Sequence, residues 1–300
     1  MNNLLSIKDL YSGYKGNQVL QGIDLEVPNG SIFGYLGKNG AGKSTTIKVL
    51  LGLLPIERGE ICFRGVNLKE DPLVLRSHSS SMIESPFFYP FLSVSENLNF
   101  LDSLFKMGQK RKREVLSLLG LSDYVDKKAQ TLSSGLKQRL GLAMCLFNRP
   151  EMLILDEPLN ALDPQGIYEL RIILKKLNKE EGVTIFLSSH ILEELEKLAD
   201  YVAVIHNGNI RYQGELSRLV QKQVDIVSFK VSDTAIIKQL AYDAKFSLLK
   251  VYDQNNVDFE VANEAEFAQL IAALIKNGLS VYNVTHRGSA LENAFIHLTK

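Results

Sequence analysis

Neither sign of charge is in excess in this 300-residue chain: 34 Lys and Arg stand against 34 Asp and Glu, for a formal net charge of zero. A chain whose main task rests on bulk charge, such as a nucleic-acid coat or a polybasic membrane binder, is excluded. A local groove for a polyanion is not. Cysteine is scarce: Cys62 and Cys145 are too few for a disulfide framework, and too few for a zinc site without several histidines nearby. The five histidines, His78, His190, His206, His286 and His297, form no short-spaced pair. A reducing cytosol is the simplest compartment. No apolar stretch reaches the roughly 18 residues of a spanning helix. The opening Met1-Asn2-Asn3-Leu4-Leu5-Ser6-Ile7-Lys8 has no basic leader before a long apolar run, so no signal peptide is expected. If the protein works at a membrane, another chain supplies the membrane part. What is present suits a large core: 45% of residues are hydrophobic and 23% charged, against global disorder. The length suggests about two domains.

The first part of the chain alternates short apolar runs with helical spacing. Ser31 to Leu36, Met152 to Leu155, Val183 to Leu187 and Val202 to Ile205 read as strands buried on both faces. Such strands predict a largely parallel sheet between helices. Ser44 to Leu54 has helix spacing through Ile47, Leu50, Leu51 and Leu54. From about 93 to 148 the pattern is mainly helical, and no strand-like run interrupts it, so it reads as an inserted lobe. Lys110-Arg111-Lys112-Arg113 lies on an early turn of that lobe. Without interleaved aromatics it reads as a solvated helix face, not a nucleic-acid patch.

After Gly214 the character changes. Val227, Phe229 and Val231 alternate with polar residues, as in a strand. Ile236, Ile237, Leu240 and Ala241 share a helix face behind a cap at Asp233. Leu249 and Val251, then Val257, Phe259 and Val261, read as a hairpin around Asp253-Gln254-Asn255-Asn256. Asn263 with Glu266 resembles a capping box before the next helix, which stops at Gly278. A strand near Val281 to Val284 and a helix through Leu291 and Phe295 complete the order βαββαβα. Its first six elements predict a small α+β domain of ferredoxin-like type.

The sharpest chemical signal is Gly37-Lys38-Asn39-Gly40-Ala41-Gly42-Lys43-Ser44-Thr45, which satisfies G-x-x-x-x-G-K-[ST] between a strand and a helix. Glycines let the backbone curl so that N–H groups face phosphate oxygens, and the helix start adds its positive end. Lys43 then reaches the β- and γ-phosphates, and the Ser44 hydroxyl serves Mg²⁺. Met152-Leu153-Ile154-Leu155-Asp156-Glu157 supplies the second half: an apolar strand that ends in two acids at the carboxyl edge of a sheet. Asp156 is expected to hold Mg²⁺ and Glu157 to polarise the attacking water.

Upstream of that strand, Leu132-Ser133-Ser134-Gly135-Leu136-Lys137-Gln138-Arg139 resembles the signature motif of ABC-type ATPases. It departs from the LSGGQ consensus at Ser134 and Leu136. The resemblance covers about residues 4–220 and implies a P-loop fold with a helical lobe. It implies that Ser133 and Gly135 contact the γ-phosphate held by a partner subunit, although Ser133 also reads as a plain helix cap. Asn160-Ala161-Leu162-Asp163 resembles the loop that crosses the dimer interface, with Asp163 as its acid. His190, after Ser188-Ser189, resembles the switch histidine at the γ-phosphate. Tyr14 sits where relatives stack an aromatic ring on adenine; Tyr11 competes for the role, and either ring could be core packing. Most relatives place a glutamine ahead of the helical lobe, against Mg²⁺ and the lytic water. Here no Gln lies between Gln21 and Gln109, so Glu84 is the candidate, with an exposed loop acid as the alternative. The bacitracin and lantibiotic self-protection transporters are the subgroup most resembled, through Ile83-Glu84-Ser85-Pro86-Phe87-Phe88-Tyr89-Pro90 and Leu291-Glu292-Asn293-Ala294-Phe295.

The expectation is an α/β ATP-binding domain over 1–220, with its helical lobe at about 93–148, and an accessory α+β domain over 221–300. The resemblance implies an ATPase that uses ATP and Mg²⁺, pairs as a homodimer, and serves a separate transmembrane permease from the cytoplasmic face of the membrane. Its implied cargo is an exported antimicrobial peptide or drug, with no nucleic acid as partner. The alternatives are a soluble ABC ATPase acting on ribosomes or nucleic acid, and a non-enzymatic ATP sensor.

Overall fold

The computed structural model describes residues 2–160, 162–221, 225–286 and 290–299. The chain divides into two units, 1–215 and 216–300. In the first, β1 (Asn3–Tyr14), β2 (Asn17–Pro28) and β3 (Ile32–Leu36) lead to α1 (Lys43–Leu50). Then come β4 (Arg58–Phe63), β5 (Val66–Asn67), α2 (Val74–His78) and β6 (Ser79–Met82). The helical lobe holds α3 (Val94–Phe105), α4 (Gly108–Leu118) and α5 (Ser134–Leu146). The chain returns through β7 (Met152–Asp156), α6 (Pro164–Glu181), β8 (Thr184–Ser189), α7 (Leu192–Glu196), β9 (Tyr201–His206) and β10 (Asn209–Glu215).

Six of these strands form one sheet in the order β10-β9-β3-β8-β7-β6, parallel except for the edge strand β10. Strands β3 and β7 are buried at every position, as continuous apolar runs require. Each such Leu, Ile or Phe contributes about 1.5–3 kcal/mol when it leaves water. A second sheet, β2-β1-β4-β5, is antiparallel. The sequence reading did not anticipate it. Its long strands carry bulges, with register shifts between Ile7 and Leu10 of β1, and a bulge breaks the period-2 signal. Helix α1 lies between the two sheets. Its Ile47 and Leu50 share one core with Leu5, Ile7 and Phe63 from the antiparallel sheet and Phe33, Ile154 and Phe186 from the parallel one.

The lobe corrects one expectation. Lys110-Arg111-Lys112-Arg113 is not a solvated face, because Arg111 and Lys112 on α4 are buried. The Arg111 guanidinium donates to the carbonyls of Leu146 at 2.5 Å and Phe147 at 3.3 Å, which end α5. Lys112 Nζ donates to Ser95 Oγ and Asn99 Oδ1 of α3, both at 2.6 Å. Burial pushes both cations below their usual range. At about 3.6 residues per turn, four consecutive charges cannot all face solvent on a packed helix. The lobe begins at a full capping box: Ser93 Oγ accepts from the Glu96 N–H, and the Glu96 carboxylate accepts from the Ser93 N–H.

The second unit runs α8 (Leu216–Gln221), β11 (Asp225–Val231), α9 (Ile237–Ala244), β12 (Ser247–Val251), β13 (Asn256–Val261), α10 (Glu264–Lys276), β14 (Val281–His286) and α11 (Ala290–Leu298). Its antiparallel sheet has the order β12-β13-β11-β14, that of a ferredoxin-like fold. Val227, Phe229, Val257 and Phe259 form its core with Leu240, Leu270 and Leu274 from the helices. Two caps differ from expectation. Asp233 accepts from the Ala235 N–H and so opens a turn, while α9 starts later, after Ile236. Asn263 caps α10, but the Glu266 carboxylate accepts from the Ala262 N–H rather than from that of Asn263.

Candidate functional site

The phosphate loop leaves the buried end of β3 and turns into α1 within six residues. Two glycines make this turn feasible. Gly42 has φ 118°, and a Cβ there would meet Leu20 Cδ2 at 2.9 Å. A Cβ on Gly37 would lie 2.8 Å from the Ile205 carbonyl oxygen. Lys38, Asn39 and Gly40 stand exposed at the rim, whereas Ala41 is buried and donates its N–H to the Lys38 carbonyl at 3.1 Å. Ser44 is half-buried and Thr45 buried in the first turn of α1. Beneath them Thr46 Oγ1 donates to the Gly42 carbonyl and lies 3.0 Å from the Tyr35 hydroxyl. Burial pushes the Tyr35 phenol far above its usual range, so it stays neutral.

Lys43 is 6% exposed and folds back along the loop. Its Nζ donates to the Gly37 carbonyl at 2.7 Å and lies 3.2 Å from Glu157 Oε1. The other carboxylate oxygen, Oε2, accepts from the His190 backbone N–H at 3.2 Å and lies 2.9 Å from His190 Nδ1. The structure therefore joins Lys43, Glu157 and His190 in one cluster, from three separate stretches of sequence. Glu157 reaches it because the chain bends sharply after β7: its φ is 51°, in the left-handed region. Asp156 is buried at the end of β7, and its Oδ1 accepts from Ser188 Oγ at 2.6 Å. Its Oδ2 makes no hydrogen bond among the described residues.

Other predicted residues stand apart from this cluster. Glu84, also left-handed at φ 59°, is 70% exposed, and its Oε1 lies 3.0 Å from Lys48 Nζ. That hydrogen bond holds the Lys48 ammonium above its usual range, with its slight burial opposing. Lys48 was missed at the sequence level, although it lies four residues past Ser44 and so on the same face of α1. Tyr14 ends β1, is 48% exposed, and lies within electrostatic reach of Lys48. Tyr11 is half-buried, with the Arg58 guanidinium 5.1 Å from its ring centroid.

Ser133 caps α5, accepting from the Leu136 N–H at 3.3 Å, and Asp163 caps α6, accepting from the Gly166 N–H at 2.9 Å. Both line one cavity of about 600 Å³ together with Gly135, where a Cβ would meet open space. Buried Gln138 ties α5 to the loop after Glu157, donating to the Pro158 carbonyl at 2.8 Å. Ala161 lies outside the described residues.

Comparison with known proteins places the chain in a family. Residues 20–160, which span the phosphate loop, the signature segment and the two acids, match the family described as ABC transporter. A bacitracin transport ATP-binding protein of Bacillus licheniformis is 34% identical over 304 residues, covering 99% of this chain and 98% of the relative. A lantibiotic transport ATP-binding protein of Streptococcus pyogenes is 38% identical over 212 residues, covering 71% of this chain and 91% of the relative. Among solved structures, a dimeric ATP-binding cassette in a post-hydrolysis state, bound to ADP and Pi, superposes with a TM-score of 0.63 at 25% identity. It covers 71% of this chain and 98% of that one. The phosphate loop, the strand-end acids and the near full-length likeness lead to one conclusion: the chain belongs to the ABC transporter family, as an ATP-binding subunit that hydrolyses ATP.

Proposed function

We propose that two copies of this chain bind two ATP molecules between them and drive a separate transmembrane permease from the cytoplasmic face of the membrane. The cargo class is an antimicrobial peptide or other amphipathic drug, moved outward. The observation that carries the catalytic part is the Lys43–Glu157–His190 cluster beside the phosphate loop. Incoming phosphates take Lys43 from the Gly37 carbonyl and from Glu157. Glu157, relieved of its cation, accepts the proton of the attacking water. His190, whose Nδ1 lies 2.9 Å from Glu157 Oε2, keeps that carboxylate in place for the water. Ser44 and Asp156 would hold Mg²⁺, and Glu84, on leaving Lys48, would add a third oxygen donor. Oxygen donors and an Asp156 Oδ2 without a hydrogen bond suit an ion shared with phosphates rather than caged by protein. When bound, Mg²⁺ neutralises charge on the β- and γ-phosphates.

The cavity around Ser133, Gly135 and Asp163 supports the dimer, because its open helix start is suited to an anion presented by a second copy. Exposed Phe87 and Phe105, which line one cavity, support a docked membrane protein, since large apolar side chains brought together at a surface mark interaction sites. The bacitracin and lantibiotic relatives support the cargo class. From detergent-solubilised membranes the chain should co-purify with a multi-spanning protein that raises its ATPase rate. Recovery with ribosomes instead, and stimulation by RNA alone, would sink the transport assembly and favour the non-transport alternative.

Tyr14→Ala should weaken ATP binding by about 1–3 kcal/mol if the exposed ring stacks on adenine. Tyr11→Ala should cost less, since that ring already faces Arg58. Calorimetric titrations giving the reverse order would move the adenine site to Tyr11.

Glu84→Gln should keep Mg²⁺-dependent ATPase within about 10-fold, a barrier change of about 1.4 kcal/mol or less. The amide keeps an oxygen donor and loses only the pair with Lys48. Such an exposed pair is worth about 0–1 kcal/mol, which leaves Glu84 able to exchange partners. Glu84→Ala should lose more activity and respond less to the permease. Equal rates for alanine and wild type, with and without permease, would make Glu84 a bystander.

A further inference from the structure

Strand β8 is apolar and fully buried through Ile185, Phe186 and Leu187, then carries two serines before His190. The first of them, Ser188, is 0% exposed. It stands in register with Asp156 of β7 on one side and Tyr35 of β3 on the other, in the middle of the parallel sheet. A hydroxyl in such a place is unfavourable unless both its capacities are used. Here both are used, on the two acids. The Glu157 backbone N–H donates to Ser188 Oγ at 2.9 Å, and Ser188 Oγ donates to Asp156 Oδ1 at 2.6 Å. The directions need no visible hydrogen. The peptide N–H can only donate, so the hydroxyl proton goes to the carboxylate.

We infer that Ser188 is a positioning residue that sets Asp156 and Glu157 as one unit. This rests on the reading of Asp156 as the metal acid and Glu157 as the base. The hydroxyl occupies Asp156 Oδ1, so the carboxylate is fixed in rotation with Oδ2 turned to other use. Ser188 Oγ also accepts from the Glu157 N–H at the point where the chain turns left-handed, φ 51°. That turn aims the Glu157 carboxylate at Lys43 and His190. Both hydrogen-bonding capacities of the Ser188 hydroxyl are taken by the two acids. Ser188 acts through the two acids, as outer partners of metal ligands and bases commonly do. Ser189, with its side chain on the opposite face of β8, accepts from the Ile191 N–H, its one side-chain hydrogen bond among the described residues. It shares the buried strand end without the bridge, which makes Ser189→Ala an internal control.

The test compares matched pairs: Ser188 against Ser188→Ala, and Ser188→Thr against Ser188→Val. Thr and Val have one shape, so any strain from the extra methyl group is common to both and their difference reads the hydroxyl. In the full-length protein, loss of the hydroxyl should lower kcat about 10- to 100-fold, the usual scale for removing such a partner. ATP affinity measured with a fluorescent nucleotide in EDTA should stay within about 3-fold, because the phosphate loop is untouched. The Mg²⁺ concentration that half-saturates the tighter, metal-dependent ATP binding should rise at least about 3-fold. Ser189→Ala should leave all three readings near wild type. Equal kcat and equal Mg²⁺ dependence within a folded pair overturns the inference. So does a kcat loss matched by an equal loss of Mg²⁺-free ATP binding, which marks general damage. Glu157→Gln is assayed alongside. If it still turns over, the base is misassigned, whatever the Ser188 pairs show; if it is inactive while the pairs match, only the Ser188 inference falls.

Discussion

Glu157→Gln is expected to bind ATP and hydrolyse it at least about 100-fold more slowly, a barrier increase of about 2.7 kcal/mol. Glutamine has the same length and the same backbone demand at φ 51°, so the turn after β7 and the bond from its N–H to Ser188 survive. The charge does not. The carboxylate now accepts from His190 through one oxygen and faces Lys43 with the other, at 2.9 and 3.2 Å. An amide offers a single acceptor oxygen, and its NH₂ group repels the ammonium. Lys43 therefore loses a competitor for phosphate, and affinity for ATP should be unchanged or tighter. A bound but unhydrolysed nucleotide should keep two copies together, so size-exclusion chromatography with ATP should show a dimer that wild type does not accumulate. Turnover near wild type would place the base elsewhere.

How far the sequence could carry this result depended on what kind of burial each segment has. Strands β3, β7, β8 and β9 are legible because each holds an unbroken apolar run, and the phosphate loop is legible because Gly37 and Gly42 are forced by contacts a Cβ would violate. The antiparallel sheet was not, since β1 and β2 mix polar residues with bulged register. The charged run on α4 misled for a related reason. Composition says that cations prefer water, but Arg111 finds the carbonyls at the end of α5, and a guanidinium so bonded can be buried. At the site, Lys43, Asp156, Glu157 and His190 were readable from motif and order. Their second layer was not. Lys48 beside Glu84 and Ser188 between the acids depend on which face of a helix or strand each side chain takes once the sheets are stacked. Asp163 and Ser133 show the converse. Each has a capping bond within its own helix, so local structure alone explains the residue type and a role toward ATP needs a separate test.

Lys43→Ala should weaken ATP binding by at least about 10-fold. A charge-assisted hydrogen bond contributes about 1.5–3 kcal/mol, and the proposed role gives this ammonium two phosphate groups. The structure adds a second consequence. Lys43 is the cation paired with Glu157, and the Glu157 side chain is itself largely buried. Its removal leaves that carboxylate with His190 as its remaining partner among the described residues and leaves the Gly37 carbonyl without the Lys43 donor. Some loss of fold stability is therefore expected alongside the loss of affinity. Lys43→Ala/Glu157→Gln separates the two effects. The glutamine removes the uncompensated charge, so thermal stability should recover toward that of Glu157→Gln alone. ATP affinity should stay low, because nothing restores the cation at the phosphates. Calorimetric titration and a thermal melt of the four proteins read both quantities. Unchanged ATP affinity in Lys43→Ala would remove this loop from the binding site, while a double variant no more stable than Lys43→Ala would show that the pair with Glu157 contributes nothing to the fold.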